Sequence, residues 1–147
     1  MKSNLSRIFF LSSLFVMLEI QASELIINLS NQKKAGTLML AIYNNAEAFE
    51  GSVVKEKSSE IGVFKGLELY LEPQDSTQLS TEIPDGEYAI AFFIDANGNK
   101  KLDKNFLGIP KEQYGFSNNA MGTLSAPTFE QAKFKVAGNT VQNIKLK

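Results

Sequence analysis

The sequence predicts an all-β protein, a single-domain antiparallel β-sandwich with a long loop inserted after its central strand. Two observations lead to this prediction. Short segments place an apolar residue at every second position, which is the period of a half-buried strand, and turns such as Pro84-Asp85-Gly86 separate them. Helical patterns are confined to single turns at 46–50 and 128–131, neither long enough to form a layer, and the second has capping-box spacing.

The first residues have the pattern of a secretory signal peptide. Lys2 and Arg7 precede an apolar run over residues 8–18, and Ala22 supplies a small residue before the cleavage point. The run is too short for a membrane-spanning helix, which needs about 20 apolar residues. We therefore expect export to remove residues 1–22 and to leave a β-sandwich domain at 23–147. This domain is predicted to be periplasmic or secreted, without stable membrane insertion.

The composition argues against several classes of partner and site. The chain has 15 basic and 16 acidic residues, a net charge of −1, so nothing in this balance favours nucleic acid or an anionic membrane as a partner. Cysteine and histidine are both absent. Disulfides, histidine-based zinc sites and nucleophiles activated by histidine are therefore excluded.

Alternating apolar residues mark the strands in order along the chain. The first three strands have the alternating residues Leu25, Ile27 and Leu29; Leu38, Leu40 and Ile42; and Leu67, Leu69 and Leu71. Segment 76–82 is polar and rich in Ser and Thr, as an edge strand can be. Two short strands close the chain, one with Phe134 and Val136 and one that ends near Ile144 and Leu146. Seven or so such strands are typical of a β-sandwich.

Segment 88–94 is predicted to be the central strand. One of its faces carries Tyr88, Ile90, Phe92 and Ile94, and the other carries Ala89, Ala91 and Phe93. Because both faces are apolar, both must be covered, and a strand with two covered faces lies in the interior of a sheet.

The loop at 95–103 spaces oxygen-bearing side chains as calcium loops do. With Asp95 as the first position, the third, fifth, seventh and ninth positions are Asn97, Asn99, the Lys101 carbonyl and Asp103. The sixth position is Lys100 where glycine is expected, and the twelfth is Phe106 where glutamate is expected. Any calcium site here should therefore be weak, with a Kd of order 10⁻⁴–10⁻³ M. The alternative is a tight turn at Asn97-Gly98 whose side chains cap backbone groups.

The segment that follows, 105–119, also has two interpretations. Its aromatic and amide side chains could bind a glycan or another small ligand, and the candidate residues are Tyr114, Phe116, Ser117, Asn118 and Asn119. Alternatively, the two aromatic rings plug the open end of the sandwich and the polar side chains satisfy the backbone of the loop.

Several motifs resemble those of the DUF2141 family of exported bacterial proteins. They are Pro-Asp-Gly-Glu-Tyr at 84–88, the loop at 95–103, Asn-Phe-Leu-Gly-Ile-Pro-Lys-Glu at 105–112, Tyr-Gly-Phe-Ser-Asn-Asn at 114–119 and Pro-Thr-Phe-Glu-Gln-Ala at 127–132. Lys100 departs from the usual loop pattern, in which glycine is more typical. The family has no assigned activity, so the resemblance implies none. The Asp-Gly-Glu-Tyr turn also resembles prealbumin-like sandwiches, so an immunoglobulin-like or prealbumin-like topology is expected.

Enzyme chemistry has few candidate residues. Asp95, Asp103 and Glu112 are the only carboxylates concentrated in one region, and a carboxylate-dependent hydrolase is the least favoured reading. We expect no catalytic residues and no cofactor beyond weakly bound calcium. The predicted function is a non-catalytic envelope module whose partner is an envelope protein or a glycan.

Overall fold

A computed structural model describes residues 22–53 and 62–147. The predicted signal peptide, apart from Ala22, lies outside the described residues. The strands that follow form two sheets, so the all-β prediction is confirmed. No helix within the described ranges is long and apolar enough to cross a membrane.

The first sheet has three strands in the order β4-β1-β8. They are β1 (Ala22–Gln32), β4 (Gln74–Pro84) and β8 (Thr140–Lys145). β4 pairs antiparallel with β1 and forms an edge, as predicted for segment 76–82. β8 pairs parallel with β1, so the prediction of a wholly antiparallel fold is wrong. Parallel neighbours need a long connection, and nearly the whole chain separates these two strands.

The second sheet has five strands, with β5 at its centre. The strands are β2 (Gly36–Tyr43), β3 (Lys65–Leu71), β5 (Gly86–Asp95), β6 (Tyr114–Phe116) and β7 (Phe134–Val136). Their order is β3-β2-β5-β6. β6 pairs with residues 91–93 of β5, and β7 pairs with residues 86–88 at the beginning of the same strand. β5 therefore has neighbours along both of its edges, which confirms that it is the central strand.

The main core draws its side chains from both sheets. Tyr88, Ile90, Phe92 and Ile94 of β5 are all at most 4% exposed and belong to one buried cluster with the alternating leucines and isoleucines of β1 and β2. The predicted inward face of β5 is therefore confirmed. Leu69 is an exception, because it is 46% exposed although it was predicted to alternate with Leu67 and Leu71. It lies on β3, which among the described residues has a neighbouring strand on one side only.

A second core covers the other face of the five-stranded sheet. It is built on α1 (Ala46–Val53) and α2 (Phe129–Ala132), which pack over Ala89 and Ala91 of β5. Phe49 at its centre is fully buried and makes edge-to-face contacts with the rings of Tyr43, Phe116 and Phe129.

Both predicted helical turns are therefore present. Each was judged too short to form a layer, but together they cover one face of the five-stranded sheet. The capping box at Thr128 is confirmed, because the Thr128 hydroxyl accepts from Gln131 N and the Gln131 side chain accepts from Thr128 N. This outer cover is the physical reason why both faces of β5 are apolar.

Candidate functional site: the loop between β5 and β6

The candidate site is the loop that begins where β5 ends. Asp95 is the last residue of β5, pairs with Thr37 of β2 and is only 3% exposed. The neighbouring Gly36 is packed so tightly that a Cβ there would lie 2.8 Å from Ile94 Cγ2 and even closer to the Asp95 carbonyl. The sheet therefore holds the first residue of the loop rigidly.

The carboxylate of Asp95 organises the first turn of the loop. Its Oδ1 accepts from Gly98 N at 2.7 Å and from Asn97 N at 3.3 Å, and its Oδ2 accepts from Lys100 N at 2.8 Å. Hydrogen bonds from backbone N–H groups to a carboxylate are stronger than those between neutral groups. The chain is consequently wrapped around this one buried side chain.

Asn97 and Asn99 repeat the pattern at two-residue intervals. Asn97 Oδ1 accepts from Asn99 N at 3.1 Å, and Asn99 Oδ1 accepts from Lys101 N at 2.8 Å. Each is an Asx turn, in which the side-chain oxygen takes the N–H two residues further along. With Asp95, they form a ladder of three side-chain oxygens at alternate positions.

Asp103 closes the ladder from the other end. Its Oδ2 accepts from Asn97 Nδ2 at 2.6 Å, and its Oδ1 accepts from Asn99 Nδ2 at 3.1 Å. The structure therefore brings together the predicted side-chain ligands at 95, 97, 99 and 103. Lys101 takes part in the ladder through its backbone N–H, while its side chain is exposed.

Lys100 has the backbone conformation that its position in a calcium loop would demand. Its φ is 59°, in the left-handed region that glycine adopts without cost. Its side chain is exposed and forms an ion pair with Glu68, with Nζ 3.4 Å from Oε2. An exposed pair of this kind contributes little, so it offsets little of the cost of this backbone conformation.

Glu112 is the residue whose role the sequence analysis missed. It is 7% exposed, its Oε1 accepts from Ala96 N at 2.9 Å, and its Oε2 accepts from Asp103 N at 3.1 Å. Glu112 therefore connects the two ends of the 95–103 loop. The signal for this role is its position just before β6, because Ile94 N donates to Gln113 O at 2.8 Å and so places Glu112 beside Asp95.

Gln113 joins the same region to the turn between β1 and β2. It is 8% exposed, its Oε1 accepts from Lys33 N at 2.7 Å and from Lys34 N at 3.1 Å, and its Nε2 donates to Asn31 O at 2.9 Å. The base of the long loop is thereby fixed to both sheets.

The aromatic residues of the candidate ligand loop pack on the outer face of the second sheet. Tyr114 and Phe116 are in edge-to-face contact at 5.9 Å between ring centroids, Phe116 is buried in the second core, and Tyr114 packs against it. They lie beside α1 and α2, whereas the plug interpretation placed them at the open end between the sheets. The aromatic surface that a ligand would need is largely covered.

The polar residues that follow hold other segments in place. Ser117 is fully buried, accepts from Ile90 N at 2.9 Å and donates to Ala132 O at 2.6 Å. Asn118 Nδ2 donates to the backbone after α2, and Asn119 bonds to the backbone of β8 through both ends of its amide. Their partners are β5, β8 and the end of α2, and not the backbone of the loop itself.

The donor set for a metal consists of carboxylate, amide and carbonyl oxygens. Across the described residues, no three side chains of the types His, Cys, Asp and Glu form a metal-holding group. A cation at this loop would therefore depend on the amide oxygens of Asn97 and Asn99 in addition to Asp95 and Asp103. Oxygen donors of this kind suit calcium.

The fold and this loop define a mainly β, two-sheet protein with a carboxylate-centred loop between its central strand and the neighbouring strand. The chain belongs to the DUF2141 family, described as an uncharacterized protein conserved in bacteria, whose model matches residues 26–145. The match spans both sheets and the whole loop, so the resemblance found in the sequence is confirmed. No curated protein and no solved structure matches the chain.

Proposed function

We propose that this protein is an exported, non-catalytic module of the bacterial envelope whose 95–103 loop binds calcium weakly. The finer fold class that we propose is an immunoglobulin-like or prealbumin-like sandwich. The observation that carries the calcium proposal is the ladder of three side-chain oxygens from Asp95, Asn97 and Asn99. The carboxylate of Asp103 lies beside this ladder, where it accepts from the amide nitrogens of Asn97 and Asn99.

The lone pairs in this ladder support the proposal. Asp95 Oδ2, Asn97 Oδ1 and Asn99 Oδ1 each accept one backbone N–H. A carbonyl or carboxylate oxygen has two lone pairs, so each of these atoms keeps acceptor capacity. The Asx turns fix the side chains before an ion arrives, which reduces the ordering cost of binding.

Only two of the predicted ligands are carboxylates, and Lys100 and Lys101 lie within the loop. Affinity depends on the charge of the ligands, so a Kd of order 10⁻⁴–10⁻³ M is expected for this site.

Calcium should therefore stabilise the protein. A ligand that binds only the native state adds RT ln(1 + [L]/Kd), which is roughly 1.4 kcal/mol at ten times Kd. We expect Tm to rise by a few degrees between calcium-free buffer and about 10 mM calcium, which lies above the Kd range of weak extracellular sites. Magnesium should raise Tm less, because it demands tighter octahedral geometry. A melting curve that calcium leaves unmoved would contradict the proposal.

Lys100→Gly should raise the free energy of unfolding without calcium by about 0.5–1 kcal/mol, because a left-handed residue with a Cβ costs about 1–2 kcal/mol. The matched control is Lys101→Gly, which removes the same charge from the loop at a residue without positive φ. Urea unfolding should show that Lys101→Gly is neutral or destabilising.

Both variants should bind calcium more tightly than the wild type, because each removes a positive charge. Equal unfolding free energies for the two variants would show that the left-handed φ of Lys100 does not lower the stability of the protein.

Export is testable separately. Intact-mass analysis of protein from the cell envelope should find a chain that begins at Ser23 or within a residue or two of it, as the basic, apolar and small pattern of residues 1–22 predicts. Full-length protein in the cytoplasm would overturn the proposed localisation.

The second candidate function is recognition of an envelope protein by strand addition along β4. β4 is a long edge strand, and such an edge can pair with an extended segment of another chain. The covered state of the Tyr114 and Phe116 rings favours this candidate over glycan binding at 105–119. A hydrolase is the least supported, because the Asp95 and Glu112 carboxylates are engaged by backbone N–H groups.

A further inference from the structure

A small hairpin at 104–110 follows the ladder of side-chain oxygens in the chain. Lys104 and Pro110 form an antiparallel bridge, Asn105 N donates to Ile109 O at 2.8 Å, and Gly108 N donates to Asn105 O at 2.9 Å. Asn105 Oδ1 also accepts from Leu107 N at 2.9 Å and from Ile109 N at 3.0 Å. The turn is therefore ordered by its own backbone and by one asparagine.

The side chains that this hairpin presents are apolar. Phe106 is 95% exposed, Leu107 is 67% exposed and Ile109 is 55% exposed; we call these three residues the apolar tip. Single exposed apolar residues are ordinary, but contiguous apolar patches mark interaction sites. Turns favour Gly, Asn, Asp, Ser and Pro for their backbone conformations, so the geometry of the turn does not account for three large apolar side chains.

The base of the hairpin is held firmly. Lys111 N donates to Asp103 O at 2.8 Å, and Glu112 accepts from the N–H groups of Asp103 and Ala96. The tip is therefore presented on a rigid support, and little ordering cost remains for a binding event.

The surroundings of the tip are basic. The side chains of Lys101 and Lys111 are exposed, and Lys34 reaches the same place, with its Nζ 3.1 Å from Lys111 O. At the base of the hairpin, the carboxylates of Asp103 and Glu112 both accept hydrogen bonds from within the loop. The whole-chain charge of −1 conceals this local excess of lysine.

We propose that the apolar tip inserts into the interface of an anionic phospholipid membrane, with the lysines at its base against the lipid phosphates. Apolar side chains flanked by lysine are the composition of segments that bind membrane surfaces, where apolar burial and attraction to anionic lipid add together. Such a contact is peripheral and reversible. It does not require calcium, so it stands apart from the ion proposal.

The chain contains no tryptophan, which permits a selective optical test in calcium-free buffer. Phe106→Trp places the only indole at the tip, and Leu124→Trp places it at a side chain that is 100% exposed in a different loop, before α2. Vesicles of equal parts phosphatidylglycerol and phosphatidylcholine should shift the emission of the tip reporter to the blue and leave that of the control unchanged. Equal shifts for the two reporters, or none, would overturn the proposal.

Co-sedimentation with the same vesicles tests the contribution of each group. Phe106→Ser and Leu107→Ser should each weaken binding by about tenfold or more, because burial of one such side chain contributes more than a tenfold change in affinity. Leu124→Ser, the matched control, should bind as the wild type does. The pair Lys101→Gln and Lys111→Gln, added salt, or vesicles of phosphatidylcholine alone should also weaken binding.

Three further outcomes would contradict the proposal: binding to neutral vesicles as tight as to anionic ones, an equal loss of binding for Leu107→Ser and Leu124→Ser, and a dimer without lipid that Phe106→Ser abolishes. Thermal melting of each variant should match that of the wild type, since these side chains are exposed. A loss of binding therefore cannot be attributed to unfolding.

Discussion

Replacement of Phe92 by alanine lowers the free energy of unfolding by about 3–5 kcal/mol, the range for buried aromatic truncations. Phe92 is 4% exposed, lies in the central strand opposite Leu40, and has its ring over Gly115 of β6. A Cβ at Gly115 would lie 2.6 Å from Phe92 Cζ, so the ring fills space that glycine leaves open. Because Gly115 has no side chain to move into the vacated volume, most of the cavity should remain.

Urea unfolding followed by circular dichroism measures this loss. Phe106→Ala is the matched control, because it removes the same atoms from a side chain that is 95% exposed, and its effect should stay within about 0.5 kcal/mol. If Phe92→Ala unfolds at the same urea concentration as the wild type, β5 is not the strand that holds the two sheets together.

Asp95→Ala has the second largest expected effect, a loss of about 2–4 kcal/mol. The substitution removes the acceptor for the N–H groups of Asn97, Gly98 and Lys100. Each hydrogen bond to a charged group contributes about 1.5–3 kcal/mol, and water can reach part of the exposed loop, which reduces the sum. Asp95→Ala should also abolish the calcium-dependent rise in Tm, because the first ligand of the ladder is gone.

Asp103→Ala is the control for this prediction. Among the described residues, the carboxylate of Asp103 accepts only from the side-chain amides of Asn97 and Asn99, which water can satisfy in its absence. The variant should lose no more than about 1 kcal/mol of stability and should still lose its response to calcium. Equal destabilisation by Asp95→Ala and Asp103→Ala would show that Asp95 does not organise the loop.

Much of the ion loop could be predicted from the sequence, because its hydrogen bonds are local. The Asx turns at Asn97 and Asn99 join residues two apart, and the left-handed φ of Lys100 stands where the loop pattern demands it. The part that was missed is Glu112, whose contacts to Ala96 and Asp103 depend on the pairing of β5 with the returning chain. No spacing rule within the loop contains that information.

The role of the candidate ligand residues at 114–119 also depends on contacts that are distant in the chain. Polar and aromatic residues at 114–119 have the composition of a binding loop as well as of a structural one, since both uses need hydrogen-bonding and packing groups. In the structure, Ser117 bonds to Ile90 and Ala132, and Asn119 bonds to Asn143, all distant in sequence. These contacts give the two side chains a structural role.

The sequence by itself determined the strands, the alternation of their faces, the two helical turns and the spacing of the ion ladder. These features depend on side chains a few residues apart, and their periods are properties of the backbone. Only the tertiary structure decided the parallel pairing of β1 with β8, the second core under α1 and α2, the place of Glu112 and the basic surroundings of the apolar tip. Each of these depends on a residue that is distant in the chain, such as Lys34 at the base of the tip, and that becomes a neighbour only when the chain folds.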